Sequence, residues 1–247
     1  MKRPLPITLL EPRQFFAGNV TLAVQENILH LTGDGAANDV LVTAKIAPDR
    51  TVLLGLKGRD GTTLNGTTED LTALRGREGL FVVAGDGGFR LTIDEQAFGW
   101  TGGVTMVGGT GDDTLAITLA GRVDTLKRID GNVFFAGGPG DDRLLLREPT
   151  VLGRVDFDGG FGRDRITLEN VVIRRQLSVF DLNGPTRIDA DRLYVNRSAT
   201  ISTGNSIDRI TIRNSRFIGV AAIFSRGGAD VVNVAANTFL AGSFVRK

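Results

Sequence analysis

The chain contains no cysteine in 247 residues, and histidine, tryptophan and tyrosine occur once each. Without thiols there are no disulfides, no thiolate metal centre and no cysteine nucleophile, so burial and hydrogen bonding alone must hold the fold. The single His30, in NILHLTG, alternates with apolar neighbours and has no second histidine with which to share a metal, so it reads as a strand surface residue. One Trp and one Tyr leave almost no aromatic platform for stacking sugar rings. No apolar run approaches the roughly 18 residues of a membrane span. The opening MKRPLPITLLEPRQFFAGNV lacks the apolar core of a standard secretory signal. Neither sign of charge is in excess: 29 Lys and Arg face 28 Asp and Glu, a formal net charge of +1. With acids interleaved among the cations, that balance argues against a nucleic-acid groove.

What is plentiful is glycine, at 33 residues, and between the glycines run short segments of Val, Ile, Leu and Thr. Many tight turns separating β-branched runs suit strands rather than helices. The cations are lopsided, since 24 of the 29 are Arg and 16 of those fall between Arg122 and Arg226. Arg is the cation of planar, bidentate pairing, so this bias predicts ordered contacts with carboxylates on a rigid surface.

A turn-plus-strand signature returns along the second half: GGTGDDTLAI at 108–117, GGPGDDRLLL at 137–146 and GGFGRDRITL at 159–168, with fainter copies SIDRITI at 206–212 and GADVVNV at 228–234. Self-similarity at this spacing is the mark of a solenoid, in which each coil buries its apolar face only by stacking on its neighbours. Aligned on the Asp before each strand, the anchors are Asp113, Asp142, Asp164, Asp191, Asp208 and Asp230, with steps of 29, 22, 27, 17 and 22. The 27 and 17 together make two coils of 22, which predicts a compensated shift near NGPTRIDAD. A second ladder of Asn170, Asn214, Asn196 and Asn237 follows the anchors and predicts stacked asparagines at a bend, with Phe217 and Phe239 inward and stacked.

The expected fold is all-β: a single right-handed parallel β-helix of about 22-residue coils, eight or nine in number, with an irregular N-terminal cap. Residues 1–17 form an extended leader, 18–100 the cap and irregular coils, and 101–247 the regular coils, continuous from 18. Trp100 is expected to cover the edge between the two regions. The open ends of such a stack present unpaired strand edges and invite end-to-end self-association.

The three GGxGxD segments resemble the calcium-binding nonapeptide of RTX rolls, with Asp113, Asp142 and Asp164 at the motif's Asp position, although here one motif occurs per coil instead of one every nine residues. From about Leu10 to the end, the chain is also similar to the repeat-bearing extracellular proteins of planctomycete-type bacteria. The resemblance rests on the LEPR segment at 10–13 and on TISTGNSIDRITIRNSRFIG at 200–219. It implies a parallel β-helix and an extracellular or cell-surface location, and it carries little assigned function.

Three chemistries fit the residues. Calcium wants six to eight oxygens, and a glycine turn with Asp112, Asp113, Asp141, Asp142 and Asp164 offers carbonyls and carboxylates together. Alternatively, glycine supplies the turn, Asp caps it without metal, and the Arg that follows the Asp at 143, 165, 192 and 209 neutralises it. The third is a carbohydrate-active β-helix enzyme, a polysaccharide lyase or hydrolase, for which Asp189, Asp191, Arg187 and Arg192, or Asp156 and Asp158 with Arg154, would be the cluster. Residues that recur in every coil serve the coil, which favours a non-catalytic structural or adhesion module in contact with a cell surface or polysaccharide.

Overall fold

In VDFDGG at 155–160, Val155 and Phe157 are buried while Asp158 is exposed, and the same alternation returns in strands such as 164–169, 186–191 and 209–213. That period of two commits one side of each strand to an interior and the other to solvent. Parallel strands cannot close such an interior alone, so the chain winds and each turn covers the last. The computed structural model describes residues 18–46, 52–68, 71–75, 79–94, 99–100, 102–119 and 128–246. The leader at 1–17, the LEPR segment within it and the side chain of Trp100 lie outside the described residues.

The described chain is all-β, a parallel solenoid of about seven turns. Each coil contributes a strand to a first broad sheet, turns at the glycine corner, contributes a second strand to a second broad sheet, bends, and adds two residues to a narrow third sheet. The fourth coil is representative, with strands Val155–Phe161, Asp164–Glu169 and Val172–Ile173. Its register to the next coil is 22 residues on all three sheets: Val155 with Leu177, Arg165 with Arg187, Val172 with Tyr194. The first two steps are longer, Leu80 to Val104 and Val104 to Val133. Three-stranded winding starts at Gly79 and the last complete coil ends at Phe239, followed by one further strand, Ser243–Arg246, on the first sheet. The count falls short of eight or nine because, before Gly79, Ile28–Gly33 and Asn38–Ile46 continue the parallel stack but their outer partners fold back on them antiparallel.

That fold-back forms the cap. Strands Ile28–Gly33 and Asn38–Ile46 lie parallel on the first three-stranded coil, while Asn19–Gln25 and Val52–Arg59 pair antiparallel with them and cover their outer edges. The outer edges of these strands are covered in turn, Asn19 and Val20 by a short parallel pairing with Thr63 and Leu64 and Val52–Arg59 by the antiparallel Leu71–Arg75, which ends the regular stack. His30 sits on the outer face of this region, its ring 5.3 Å from that of Phe81.

The interior is an aliphatic column broken by phenylalanines in consecutive coils: Phe135 meets Phe157 edge-on at 5.6 Å, and Phe217 stacks on Phe239 at 5.2 Å and 8°. The inward stacking expected of the last pair is therefore present. The asparagine ladder is different. Glu148, Asn170, Arg192, Asn214 and Ala236 occupy one column at the bend into the third sheet, all with φ between 51° and 65°. What recurs is a left-handed backbone position, which Asn tolerates best among non-glycine residues. Asn196 and Asn237 belong to other columns; Asn237 accepts the Ser215 N–H at 2.8 Å and donates to the Ile212 carbonyl. A β-branched residue in this column should cost roughly 1–2 kcal/mol. Asn170→Val is expected to lower the denaturant midpoint by that amount and Asn170→Gly to leave it nearly unchanged; equal effects of the two would show that the side chain, not the backbone, matters there.

Candidate functional site

The repeated motif forms the corner between the two broad sheets, and its glycines do two jobs. Gly138 and Gly160 have φ of 102° and 93°, which turns the chain. Gly137 and Gly159 make room: a Cβ at Gly137 would overlap Asp142 Oδ2, and one at Gly159 would lie 2.6 Å from Asp164 Oδ2. The aspartate side chain thus folds back over the glycine five residues before it and fills the corner from within.

At this bend the backbone N–H of the anchor residue is taken by the carboxylate of the following coil. Phe89, Asp113 and Asp142 donate to Oδ1 of Asp113, Asp142 and Asp164 at 2.6, 2.7 and 2.8 Å. Thr186 and Asp208 donate likewise to Asp208 and Asp230 at 2.8 and 2.9 Å. Asp113, Asp142, Asp164 and Asp208 are all at most 2% exposed. Asp112 and Asp141 lie one residue earlier and face outward; Asp112 accepts the Asp141 N–H at 2.8 Å and Asp141 the Arg163 N–H at 2.9 Å. The five candidate ligands therefore share one corner but divide into a buried row of three and an exposed row of two.

The arginine expectation is overturned. Strand alternation that turns the Asp inward turns the next residue outward, so Arg143, Arg165 and Arg209 are exposed and do not neutralise the buried row. Asp191 is not an anchor either, since it pairs across the sheet with Glu169 and Arg213. The residue in register with Asp164 is Thr186, so the spacing is 22 from the third coil onward and there is no compensated shift. Instead the coil exchanges its parts: Asp181 replaces the corner glycine, Thr186 replaces the anchor Asp, and the Thr186 hydroxyl donates to Asp181 Oδ2 at 2.8 Å. Asp181 is fully buried and faces Asp164 across Gly159. Neither Asp181 nor Thr186 is evident from the GGxGxD motif, yet writing LSVFDLNGPT beneath VDFDGGFGRD at an offset of 22 brings both into view.

These carboxyl groups are under electrostatic stress. Asp142 Oδ2, Asp164 Oδ2, Asp181 Oδ1 and Asp208 Oδ2 are buried and lack a donor in the ionised state; a proton held between Asp164 and Asp181 would join those two, and Thr203 lies beside Asp208. Burial, then repulsion from Asp164 and Asp113, raises the Asp142 pKa to about 8 despite the bond from the Asp113 N–H. Burial and the Asp164 charge raise Asp181 to about 7. Burial also raises Asp113, Asp164 and Asp208. A proton or a hard cation would satisfy the orphaned oxygens. The donor set fits calcium in kind: carboxylate oxygens beside backbone carbonyls, with the Gly159 carbonyl 2.6 Å from the Cβ position of Gly137. Among the described residues no three acidic side chains converge on one point, so most of a coordination shell would come from backbone carbonyls and water.

The clusters considered for catalysis are occupied by pairing. Asp189 bonds Arg187 at 2.7 Å, Asp191 accepts from Asn214 at 2.8 Å, and Asp156 pairs with Arg154 at 2.7 Å. Comparison of the chain with known protein families, with curated proteins and with solved structures gave no match.

Because the folded pKa values of these aspartates lie above the unfolded value of about 3.9, the fold favours their protonated form, and that stability is lost as pH rises. In chelator, the unfolding midpoint should be highest near the ordinary carboxylate range and fall as pH passes through about 7 and about 8, the values of Asp181 and Asp142. Asp142→Asn keeps the acceptor, removes the titration and should flatten this decline. Asp142→Ala strands the Asp113 N–H and should cost about 1–3 kcal/mol at every pH. A midpoint that rises from pH 5 to 9 would contradict the assignment.

Proposed function

We propose that this protein is a non-catalytic structural or adhesion solenoid of a cell surface or extracellular matrix, stiffened by calcium at its glycine-aspartate corners. One observation carries the reading. The aspartates that recur at the glycine corner are committed to the neighbouring coil: Asp113, Asp142, Asp164, Asp208 and Asp230 each hold a backbone N–H of the previous coil, which is the work of a scaffold. A catalytic site needs instead a local, non-repeating set of groups free to meet a substrate.

Calcium enters as the counter-charge that the outward arginines do not provide. Asp164 and Asp181, which face each other across Gly159, would hold it through carboxylate oxygens, with backbone carbonyls and water completing the shell. Bound there, the ion would supply charge neutralisation and cross-linking between adjacent coils. The resemblance to RTX turns and to planctomycete-type surface proteins points the same way.

A carbohydrate-active enzyme is the competing reading, supported by a shallow depression of about 210 Å³ lined by Glu169, Asp189, Asp191 and Arg213. The two readings separate in one experiment. The protein is incubated with neutral and acidic polysaccharides with and without calcium, and reducing ends and unsaturated products are followed while thermal unfolding is recorded in parallel. No turnover is expected, together with a calcium-dependent rise in midpoint that grows with the logarithm of ion concentration. Product formation, abolished by Asp189→Asn, would replace the scaffold reading with the enzymatic one; a midpoint unchanged by calcium would leave the corner to protons alone.

A further inference from the structure

The outer face of the second sheet carries two charge columns built by the same 22-residue register, and they are built differently. The column nearer the third sheet reads Arg147, Glu169, Asp191, Arg213. Its signs alternate enough to pair, and Arg147 bonds Glu169 at 2.9 Å. The column next to the glycine corner reads Arg143, Arg165, Arg187, Arg209, four like charges on four consecutive rungs. Adjacent rungs lie about 4.8 Å apart, and like charges directly opposite one another destabilise a sheet.

Among the described residues, one acid answers this column. Asp189 bonds Arg187 at 2.7 Å and reaches Arg165 at 3.4 Å. Arg143 and Arg209, at the two ends, are exposed and have no acidic partner among the described residues. The same sheet shows that the fold neutralises a column when acids are placed in it, so the unneutralised one is a property of its own. A row of planar guanidinium groups along a straight, rigid strand stack matches a row of carboxylates at similar pitch.

We infer that the column Arg143, Arg165, Arg187 and Arg209 is a binding face for a linear carboxylated polysaccharide laid along the solenoid axis, one carboxylate per coil. Two features favour this partner over a nucleic acid. Single strands are held by aromatic side chains beside the cations, and the column between the two arginine-bearing ones holds Leu145, Thr167, Asp189 and Thr211 instead. The acids Asp189, Glu169 and Asp191 on the same face, with a net charge of +1 overall, oppose the dense phosphates of a duplex. The inference extends the adhesion reading by naming its partner, and it is independent of calcium.

The test uses the full chain in chelator, so that failure of the calcium reading leaves it intact. Binding of polymannuronate, which carries a carboxylate on every sugar, is measured by calorimetry at low and high salt beside neutral dextran and single- and double-stranded DNA. Polymannuronate alone should bind, more weakly as salt rises. Arg143→Gln/Arg209→Gln should weaken it at least about tenfold. The control pair Arg197→Gln/Arg226→Gln, which removes the same charge elsewhere, should leave it unchanged. Asp189→Asn, which frees Arg165 and Arg187, should tighten binding several-fold, a change that a merely structural role for the column would not produce. Absence of binding, equal loss in both arginine pairs, or equal affinity for DNA would each overturn the inference. Unfolding midpoints of all variants confirm that they are folded.

Discussion

At five of its corners this protein takes a backbone amide out of the sheet ladder, and the structure depends on how that amide is satisfied. The solution is a carboxylate lent by the next coil, aimed inward over a glycine. This single bond sets the register between coils, because a slip of one residue would turn the aspartate to solvent and the following arginine to the core. It also explains the composition: glycine to open the space, aspartate to fill it, and no need of disulfides. The interior column of Val, Leu, Ile and Phe supplies the driving force, while the corner supplies the address at which each coil docks.

The same bond creates the chemistry of the molecule. An aspartate placed to hold an amide through one oxygen has its other oxygen buried and unanswered. Stacking repeats the problem along the axis, so the carboxyl groups repel one another and their pKa values rise. Strand alternation sends the arginines that might have answered them to the opposite side, where they become a surface property. Interior acidity and exterior basicity are thus two faces of one sequence pattern, separated by a sheet one residue thick.

Much of the architecture was legible before the structure. The three GGxGxD segments mark coils, the strands at 19–25, 28–33 and 38–46 announce themselves by alternation, and the inward pair Phe217 and Phe239 follows from its place after the bend. The site was legible only in part. Asp112 and Asp113 look like joint ligands in a string of letters, yet adjacent residues at the start of a strand must point opposite ways. Asp191 precedes an apolar run and so imitates an anchor, whereas Thr186 keeps the register without the expected carboxylate. The cap exposes a further limit: Val52–Arg59 is a strand by any propensity, but whether a strand winds or folds back is decided by what it pairs with, and pairing is not local.

The exchange at the fifth coil has an evolutionary corollary. Gly159 with Asp164 becomes Asp181 with Thr186 one rung later, the carboxyl group moving across the corner and a hydroxyl that bonds it taking its former place. Changing glycine alone would crowd two acids into one corner, and changing the aspartate alone would empty it, so neither step is neutral by itself. The two positions are therefore energetically coupled, each substitution tolerable only beside the other. The fifth coil is therefore not interchangeable with its neighbours, and duplication or loss of whole coils in this lineage would be easier on either side of it than through it.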